Sequence, residues 1–205
     1  MIRNILFDFD GVILDSMPIR DSGFKKIFEK FDKGMVSKLL DYNNENGGLS
    51  RYVKIKYFFN ELLNKEISEE EIIRYADSFS TLMRRELRNK KYLISETFEF
   101  IKDNFDKYNL HIVSGSDGDE LKYLCKALKI NKYFLSINGS PKHKNELVRN
   151  VLIENKYSAK ETILIGDSVN DYFAAMENGI TFYGYNNPSL INKSANYLKS
   201  YGELF

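Results

Sequence analysis

Short apolar segments that alternate with helix-like segments are the feature that most constrains this fold. Apolar runs of about four to eight residues bounded by Gly, Ser or Asp are typical of strands buried on both faces of a sheet. Such runs occur at residues 4–9, 110–114, 133–137, 162–166 and, more weakly, 180–183. Between them, apolar residues recur at helical spacing. The alternation predicts an α/β fold whose parallel sheet is covered by helices.

The segment from residue 17 to residue 90 differs because it contains no convincing strand. Its apolar residues follow helical spacing, and Ser68 followed by Glu71 is the pattern of a capping box at a helix N-terminus. Residues 43–48, NNENGG, predict a polar loop. We therefore expect a core domain formed by residues 1–16 and 91–205, and a small all-helical domain inserted at 17–90.

The overall composition gives no reason to expect a charged macromolecule as the main partner, although local charged patches remain possible. Thirty basic residues nearly balance 29 acidic ones, so the net charge of +1 gives no electrostatic reason to expect nucleic acid or a membrane as the main partner. No apolar run approaches the roughly 20 residues of a membrane span. Asp8 and Asp10 interrupt the only early apolar run, so we do not expect it to be a signal peptide. The single cysteine, Cys125, lies on a helical apolar stripe, which predicts core packing. We expect a cytoplasmic protein of unknown oligomeric state.

Two aspartates follow the first predicted strand. Asp8 and Asp10 are two positions apart, and residues at this spacing share one face of an extended strand. If the extended geometry continues, both carboxylates lie at the carboxyl end of the strand, where open α/β sheets place their sites. A cation would relieve their mutual repulsion. Taken alone, the pattern fits a strand end with turn-forming acids and Gly11 equally well.

A second strand end carries the same kind of residue. Asp167 directly follows the run 162–166, and Asp171 comes four residues later. If a helix begins near Ser168, Asp171 lies in its first turn, close to Asp167. Helix capping alone explains such acids. However, two strands that end in carboxylates at one sheet edge provide the hard oxygen ligands that Mg²⁺ prefers.

Hydroxyl and lysine side chains near two further strand ends are candidates for binding phosphate. Ser114, Gly115 and Ser116 offer a hydroxyl and backbone N–H groups, although the same residues build turns. Lys142 and Lys144 open a predicted helix, where the helix dipole disfavours cations. That placement indicates an anion nearby, and the alternative is a pair of solvated surface lysines. The sequence does not decide which lysine binds the phosphate.

These stretches, in this order, resemble the motifs of the haloacid dehalogenase superfamily of hydrolases. The matching stretches are DFDGV at 8–12, the strand that ends in Ser114, GSPKHK at 139–144 and GDSVND at 166–171. The first and last are specific, whereas the middle two are weak alone and gain weight from their order. The resemblance spans roughly residues 4–185 apart from the insert. It implies a Rossmann-like core, and the insert resembles the superfamily's C1-type helical cap.

The resemblance also implies a covalent mechanism that splits ester hydrolysis into two steps. One aspartate attacks phosphorus and becomes an aspartyl-phosphate, while the other protonates the leaving oxygen and then activates water. The resemblance implies catalytic roles for Asp8 as the nucleophile, for Asp10 as the acid and base, and for Ser114 and Lys144. It implies that Mg²⁺ is bound by Asp8, the backbone carbonyl of Asp10, and Asp167, with Asp171 close by. It implies substrate binding by Gly115, Ser116 and Arg51.

Asp10 distinguishes among relatives, because dehalogenases and phosphonate-cleaving members of the superfamily lack the second aspartate. The expected reaction is therefore phosphoryl transfer from a small phosphorylated metabolite, most often to water. A sugar-phosphate mutase of the β-phosphoglucomutase type is an alternative, since GGLSR at 47–51 faintly resembles its Gly-x-Ser-Arg segment. However, residues 17–32 contain no histidine of the kind these mutases use. A catalytically inactive binding or regulatory protein on the same fold is a further alternative.

A few charged residues remain to be placed. Arg51 is a candidate for recognising a second phosphate or a carboxylate through its forked guanidinium, or a surface arginine on an amphipathic helix. Arg20 and Lys25 are weaker candidates, which we expect to be solvated. His111 lies in a predicted strand and is expected to be structural, whereas His143 is either solvated or near the phosphate.

Overall fold

A computed structural model describes residues 1–193 and 196–204 and contains one parallel six-stranded sheet. The strand order is β3-β2-β1-β4-β5-β6. The strands are β1 Asn4–Phe7, β2 Asn109–Asp117, β3 Ser136–Ser140, β4 Thr162–Gly166, β5 Thr181–Tyr185 and β6 Tyr197–Leu198. This is the order of the doubly wound Rossmann fold, in which ligands bind beyond the carboxyl ends of the strands where the order reverses. Here the order reverses at β1, between β2 and β4.

Eight α-helices occur among the described residues, and five of them lie between β1 and β2. The helices are α1 Met17–Ile27, α2 Lys33–Glu45, α3 Arg51–Tyr57, α4 Glu69–Glu86, α5 Ser95–Asn104, α6 Gly118–Ala127, α7 Lys144–Asn155 and α8 Val169–Glu177. A π-helical turn, Phe58–Leu62, follows α3. The predicted capping box is present, because Ser68 and Glu71 exchange hydrogen bonds at the start of α4. Within the described residues no helix has both the length and the apolarity needed to cross a membrane.

The sheet is covered on both faces because alternate strand residues are apolar. Leu6 and Leu164 pack with α7 and α8, whereas Ile5 and Phe7 pack in the larger cluster on the other face. Each of these side chains is fully buried, which stabilises the fold by roughly 1.5–3 kcal/mol per large apolar side chain. Cys125 belongs to the larger cluster, as its position on an apolar stripe predicted.

The inserted helices contribute a group of packed aromatic rings to the larger cluster. Phe28 and Phe58 are fully buried and stack with their ring centroids 4.2 Å apart. Phe31 meets Phe58 edge to face at 5.3 Å. Such ring pairs add roughly 0.5–1.5 kcal/mol beyond their buried area. The apolar spacing in this part of the sequence therefore corresponds to packing among the inserted helices.

Several predicted boundaries are wrong. The run 133–137 forms a strand only from Ser136 onward, because Asn131–Tyr133 is a 3₁₀ turn that leads into β3. The predicted loop at 43–48 begins later, since α2 continues to Glu45 and its buried Asn43 donates a hydrogen bond to Asp21. β2 extends past Ser114 to Asp117, with a register shift against β3.

Candidate active site

Three neighbouring strands bring polar residues to one cavity. Asp8 follows β1, Asp167 follows β4, and Ser114 lies near the end of β2. All three border a cavity of about 560 Å³, which the inserted helices line from the opposite side. This volume falls within the range of small-molecule sites. The sheet topology therefore gathers residues that are more than 150 positions apart in sequence.

Asp8 and Lys144 form a buried ion pair. Lys144 Nζ lies 2.9 Å from Asp8 Oδ1, and only about 4% of either side chain is exposed. Lys144 opens α7, and its ammonium also contacts Asp171. Burial would lower the pKa of Lys144, but the charges of Asp171 and Asp8 outweigh it and hold the pKa above its usual range. Lys144 is thus a fixed positive charge beside the Asp8 carboxylate.

Lys144 and not Lys142 reaches the strand ends. The side chain of Lys142 is 56% exposed and pairs with Glu146 at 3.5 Å. His143, between the two lysines, is exposed and precedes α7. The structure therefore separates the two lysines that the sequence left undecided, because one points into the protein and the other into solvent.

Asp8, Asp167 and Asp171 form an acidic cluster. One carboxylate oxygen from each residue lies within 4.8 Å of the others. Burial and the charge of Asp171 raise the pKa of Asp8 to about 7, although Lys144 opposes the shift. Burial and the charges of Asp8 and Asp171 raise the pKa of Asp167 well above its ordinary range. Three crowded carboxylates against one ammonium leave negative charge that a divalent cation would balance, and their oxygens are ligands that suit Mg²⁺.

Two glycines make the close approach of these groups possible. A Cβ atom on Gly11 would lie 1.9 Å from Asp167 Oδ2, and Gly11 has a φ of +75°, which favours glycine. A Cβ atom on Gly115 would lie 1.9 Å from the carbonyl oxygen of Gly48, which belongs to the inserted segment. The first glycine lets the chain after β1 pass Asp167, and the second lets the inserted segment lie directly on β2.

Asp10 has different partners from Asp8. Regular strand geometry ends at Phe7, so the condition under which both carboxylates would share a strand face is not met. The Asp10 carboxylate accepts hydrogen bonds from Ser16, from Arg20 Nε at 2.6 Å and from Ser116 Oγ at 2.5 Å. Burial would raise the pKa of Asp10, but the Arg20 charge and the serine hydrogen bonds together lower it. Asp10 borders the cavity as an ionised carboxylate outside the acidic cluster.

The three predicted phosphate-binding residues of β2 lie together at the cavity. Ser114 is buried, and its Oγ accepts a hydrogen bond from the backbone N–H of Ser116 at 3.1 Å. Gly115, between them, also borders the cavity. The Ser114 hydroxyl donates no hydrogen bond to another described residue, whereas the Ser116 hydroxyl donates to Asp10.

Arg51 is buried, which excludes the alternative of a surface arginine. Its Nη1 lies 2.6 Å from Ser80 Oγ and 2.6 Å from Glu120 Oε2, and its guanidinium stacks on Phe79 at 4.7 Å from the ring centroid. Glu120 is completely buried in the first turn of α6. Arg51 therefore borders the cavity as part of an ion pair that joins α3 to α6.

Arg20 is the largest error of the sequence interpretation. The prediction that Arg20 is solvated is wrong, because the residue is only 7% exposed and bridges Asp10 and Glu120. Lys25 is exposed, as expected. Sequence reasoning also missed Glu120 and Lys54, which is 6% exposed and borders the cavity. The sequence carried one signal for Arg20, its place in the first turns after DFDGV, and none for the other two.

Residues 5–185 match the family model described as haloacid dehalogenase-like hydrolase. The chain belongs to this family. A phosphoglycolate phosphatase of Vibrio parahaemolyticus is 25% identical to it over 211 residues, covering 94% of this chain and 89% of that protein. The predicted family, the α/β fold and the hydrolase class are confirmed, and the family and this relative support phosphatase activity.

Solved structures show the same fold. β-Phosphoglucomutase of Clostridium difficile matches with a TM-score of 0.82 at 20% identity, covering 100% of this chain and 94% of that one. The HAD hydrolase YfnB of Bacillus subtilis, whose structure is bound to magnesium, matches with a TM-score of 0.73 at 20% identity, covering 99% and 96%. At these identities the likeness establishes the fold alone.

Proposed function

We propose that this protein is a magnesium-dependent phosphomonoesterase that hydrolyses a small phosphorylated metabolite through an aspartyl-phosphate on Asp8. The observation that carries the proposal is the buried Lys144 ammonium 2.9 Å from Asp8, within an acidic cluster that faces a cavity. The family membership and the phosphoglycolate phosphatase relative support it. We also propose that residues 17–90 act as a cap over the core residues 1–16 and 91–205.

Asp8 is the proposed nucleophile. Its carboxylate attacks phosphorus, the ester P–O bond breaks, and the phosphoryl group is transferred to Asp8. An anionic nucleophile that attacks an anionic phosphate needs positive charge and donors around the phosphoryl oxygens. Lys144 supplies a fixed charge at the nucleophile, and the Ser114 hydroxyl supplies a donor. In the second step water attacks the aspartyl-phosphate and releases inorganic phosphate.

Mg²⁺ would be bound by Asp8, Asp167 and the backbone carbonyl of Asp10, with Asp171 close by. When bound, the ion neutralises charge on the phosphoryl group and lowers the repulsion between that group and Asp8. The acidic cluster supports this assignment through its hard oxygen donors. Burial, and after it the charges of the neighbouring aspartates, raises the pKa values of Asp8 and Asp167, and a bound cation would favour their ionised forms. The magnesium-bound relative adds support.

Asp10 is the proposed acid and base. Its contacts with Arg20 and Ser116 favour the ionised form, which suits the second step, in which Asp10 takes a proton from the attacking water. In the first step it gives a proton to the leaving oxygen, so substrate binding has to weaken the contact with Arg20. Arg20 is therefore proposed to contact the ionised Asp10 carboxylate after the first step has removed its proton and before the second step returns one.

Arg20 also favours a hydrolase over a sugar-phosphate mutase. It lies in the segment 17–32, where the mutases use a histidine, and it contacts the proposed acid and base directly. A guanidinium stays protonated throughout the working pH range and cannot exchange protons with Asp10 as an imidazole does. The likeness of fold to β-phosphoglucomutase therefore does not by itself favour the mutase reaction.

The proposal is tested by measuring phosphate release from a panel of phosphorylated metabolites and from an aryl phosphate, with Mg²⁺ and with a chelator. We expect release that requires Mg²⁺ and is abolished by Asp8→Asn. The matched control is Asp103→Asn, the same chemical change on the exposed side of α5. Asp10→Asn should slow both half-reactions. With the aryl phosphate, whose leaving group needs little protonation, the second step should be slowed more than the first, so that phosphorylated enzyme accumulates and intact-protein mass spectrometry detects it.

Three outcomes contradict the proposal. Wild-type protein that releases no phosphate from any substrate with Mg²⁺, while Asp8→Asn unfolds like wild type, would favour the binding or regulatory alternative. Phosphate release that survives Asp8→Asn would exclude the covalent route. Isomerisation of a hexose phosphate without net phosphate release would favour the mutase.

A further inference from the structure

The end of α4 and the turn that follows it carry the densest group of positive charges in the sequence. Residues 84–91, RRELRNKK, contain five cations and one acid, which gives this segment a net charge of +4. The whole chain has a net charge of only +1, so the remaining residues carry −3. Positive charge this concentrated in a nearly neutral chain attracts anions to one part of the surface.

The protein supplies few partners for these cations. Arg85 pairs with Glu86 at 2.7 Å, and Lys91 Nζ lies 4.8 Å from the ring centroid of Tyr92. Within residues 1–193 and 196–204, Arg88 and Lys90 form no ion pair. Arg88, Lys90 and Lys91 are all exposed. Their charges are therefore available to a ligand.

The dipole of α4 explains only part of this group. Cations are favourable in the last turn of a helix, and Arg84 and Arg85 occupy that position in α4. Lys90 and Lys91 lie beyond the helix, in the separate 3₁₀ turn Lys90–Tyr92. The effect of a helix dipole falls off within the last turn, and a turn of three residues adds few aligned peptide dipoles. The two lysines therefore have no such reason to lie beside the arginines.

The cations line a cleft rather than a convex surface. We call it the basic cleft; its walls are residues 85–86 and 88–92, and its volume is about 610 Å³. This volume falls within the range of small-molecule sites. Four of the wall residues are cations, namely Arg85, Arg88, Lys90 and Lys91. A single bound molecule can therefore contact several positive groups at once.

The backbone of the basic cleft is held by hydrogen bonds. The Asn89 side chain caps the 3₁₀ turn by accepting from the Lys91 N–H at 3.0 Å. The Tyr92 carbonyl accepts from the Asp15 N–H at 2.8 Å, which ties the turn to the segment that follows β1. Leu87 is fully buried and anchors the end of α4. Because the backbone is already ordered, a ligand would bind with a lower entropic cost than on a free tail.

We propose that the basic cleft binds a small ligand that carries a triphosphate group, either a nucleoside triphosphate or inorganic tripolyphosphate. Arginine and lysine side chains that converge on one cleft are suited to phosphate oxygens. The several negative charges of a triphosphate match the net +4 of residues 84–91. A long polyanion fits less well, because the rest of the chain carries −3 and would repel it.

The basic cleft is a site of its own. Among the described residues, none borders both the basic cleft and the cavity at Asp8. The inference therefore goes beyond the proposed function and does not depend on it. A ligand in the basic cleft would lie where α4 returns to the core, away from the proposed nucleophile.

Calorimetric titration tests the site with tripolyphosphate, ATP and orthophosphate, in buffer freed of divalent cations so that no metal joins an anion to the acidic cluster. We expect both triphosphates to bind at one site and orthophosphate to bind at least about 10-fold more weakly, because it offers fewer charges. Tighter binding of ATP would identify a nucleotide as the ligand, and equal or tighter binding of tripolyphosphate would identify the triphosphate alone. Failure of both triphosphates to bind, or equal affinity for orthophosphate, overturns the inference.

The combined variant Arg88→Gln, Lys90→Gln and Lys91→Gln removes three cations of the basic cleft. It should weaken triphosphate binding at least about 10-fold, because each exposed contact contributes a modest factor and three are lost. Circular dichroism should show an unchanged fold, since all three residues are exposed. Arg88→Gln alone serves if the combined variant folds poorly, with an expected loss of about 3-fold. Unchanged affinity in a folded variant would overturn the inference.

Three comparisons locate the ligand. The combined variant Lys38→Gln, Lys102→Gln and Lys160→Gln removes the same charge from exposed positions on other elements and should change the affinity less than about 2-fold. An equal loss in both combined variants would show a response to overall charge and overturn the site. Asp8→Asn should bind triphosphate like wild type, and tighter binding would place the ligand at the acidic cluster instead. Tighter binding of a single-stranded oligonucleotide than of ATP would overturn the assignment of a small ligand.

Discussion

Glu120→Gln should destabilise the protein, because Glu120 is the only acidic contact that Arg51 has among the described residues. The Glu120 side chain is completely buried, and its carboxylate lies 3.1 Å from Arg20 Nη1 and 2.6 Å from Arg51 Nη1. Glutamine has almost the same shape, so the change removes charge and leaves volume unchanged. Two guanidinium groups then remain in a largely dry site with less negative charge to balance them.

The size of the effect follows from the contacts that remain. Removing one partner of a buried ion pair costs about 3–5 kcal/mol, because the other charge is left uncompensated. Arg20 keeps its contact with Asp10, and Arg51 keeps its contact with Ser80. We therefore expect the lower end of the range, about 3 kcal/mol. For a chain of this size that is a fall in melting temperature of roughly 6–12 °C.

Urea unfolding followed by circular dichroism measures the free energy directly, and calorimetry gives the melting temperature. Glu86→Gln is the matched control, since Glu86 pairs with Arg85 at the surface with 46% of its side chain exposed. Surface changes of this kind alter stability by about 0.5 kcal/mol or less. A loss for Glu120→Gln that is within 1 kcal/mol of the Glu86→Gln loss would refute the reasoning that the two arginines depend on this carboxylate.

Two other predictions concern pH and metal. Burial lowers the pKa of His111 to about 4; the unfolded chain therefore takes up a proton below about pH 6.5 that the folded protein refuses, and stability is lost as the pH falls toward 4. Between pH 7.5 and pH 5 the loss of unfolding free energy due to His111 amounts to about 2 kcal/mol. Comparing wild type with His111→Asn separates this loss from the titration of the site carboxylates. An identical pH dependence of stability in the two proteins would contradict the prediction. Mg²⁺ should raise the melting temperature, by an amount that corresponds to about 2.7 kcal/mol at a hundredfold excess over Kd. Asp167→Asn should largely remove that rise, and an equal rise in both proteins would exclude Asp167 as a ligand.

The sequence alone predicted the parts of the protein that depend on neighbouring residues in the chain. Apolar runs located β1 and β4 because the burial of both strand faces requires a continuous apolar segment. Strand ends located Asp8 and Asp167, because the carboxyl ends of parallel strands meet at one edge. Local sequence patterns also predicted the helical spacing of the insert, the capping box at Ser68 and the family resemblance, because each depends on residues close together in the chain.

Only the tertiary structure decided which charged side chains are buried. Arg20 and Glu120 are 100 positions apart, and nothing near either residue in sequence indicates the other. The sequence likewise does not distinguish Lys144 from Lys142. Only the structure shows that the Lys144 side chain is buried beside Asp8 while the Lys142 side chain is exposed beside Glu146. The sequence pattern of an amphipathic helix is the same whether a charged residue on it is exposed to water or buried against a partner. The free energy of a charge depends on the dielectric and on the counter-charges around it, and both are set by the segments that pack against it in space.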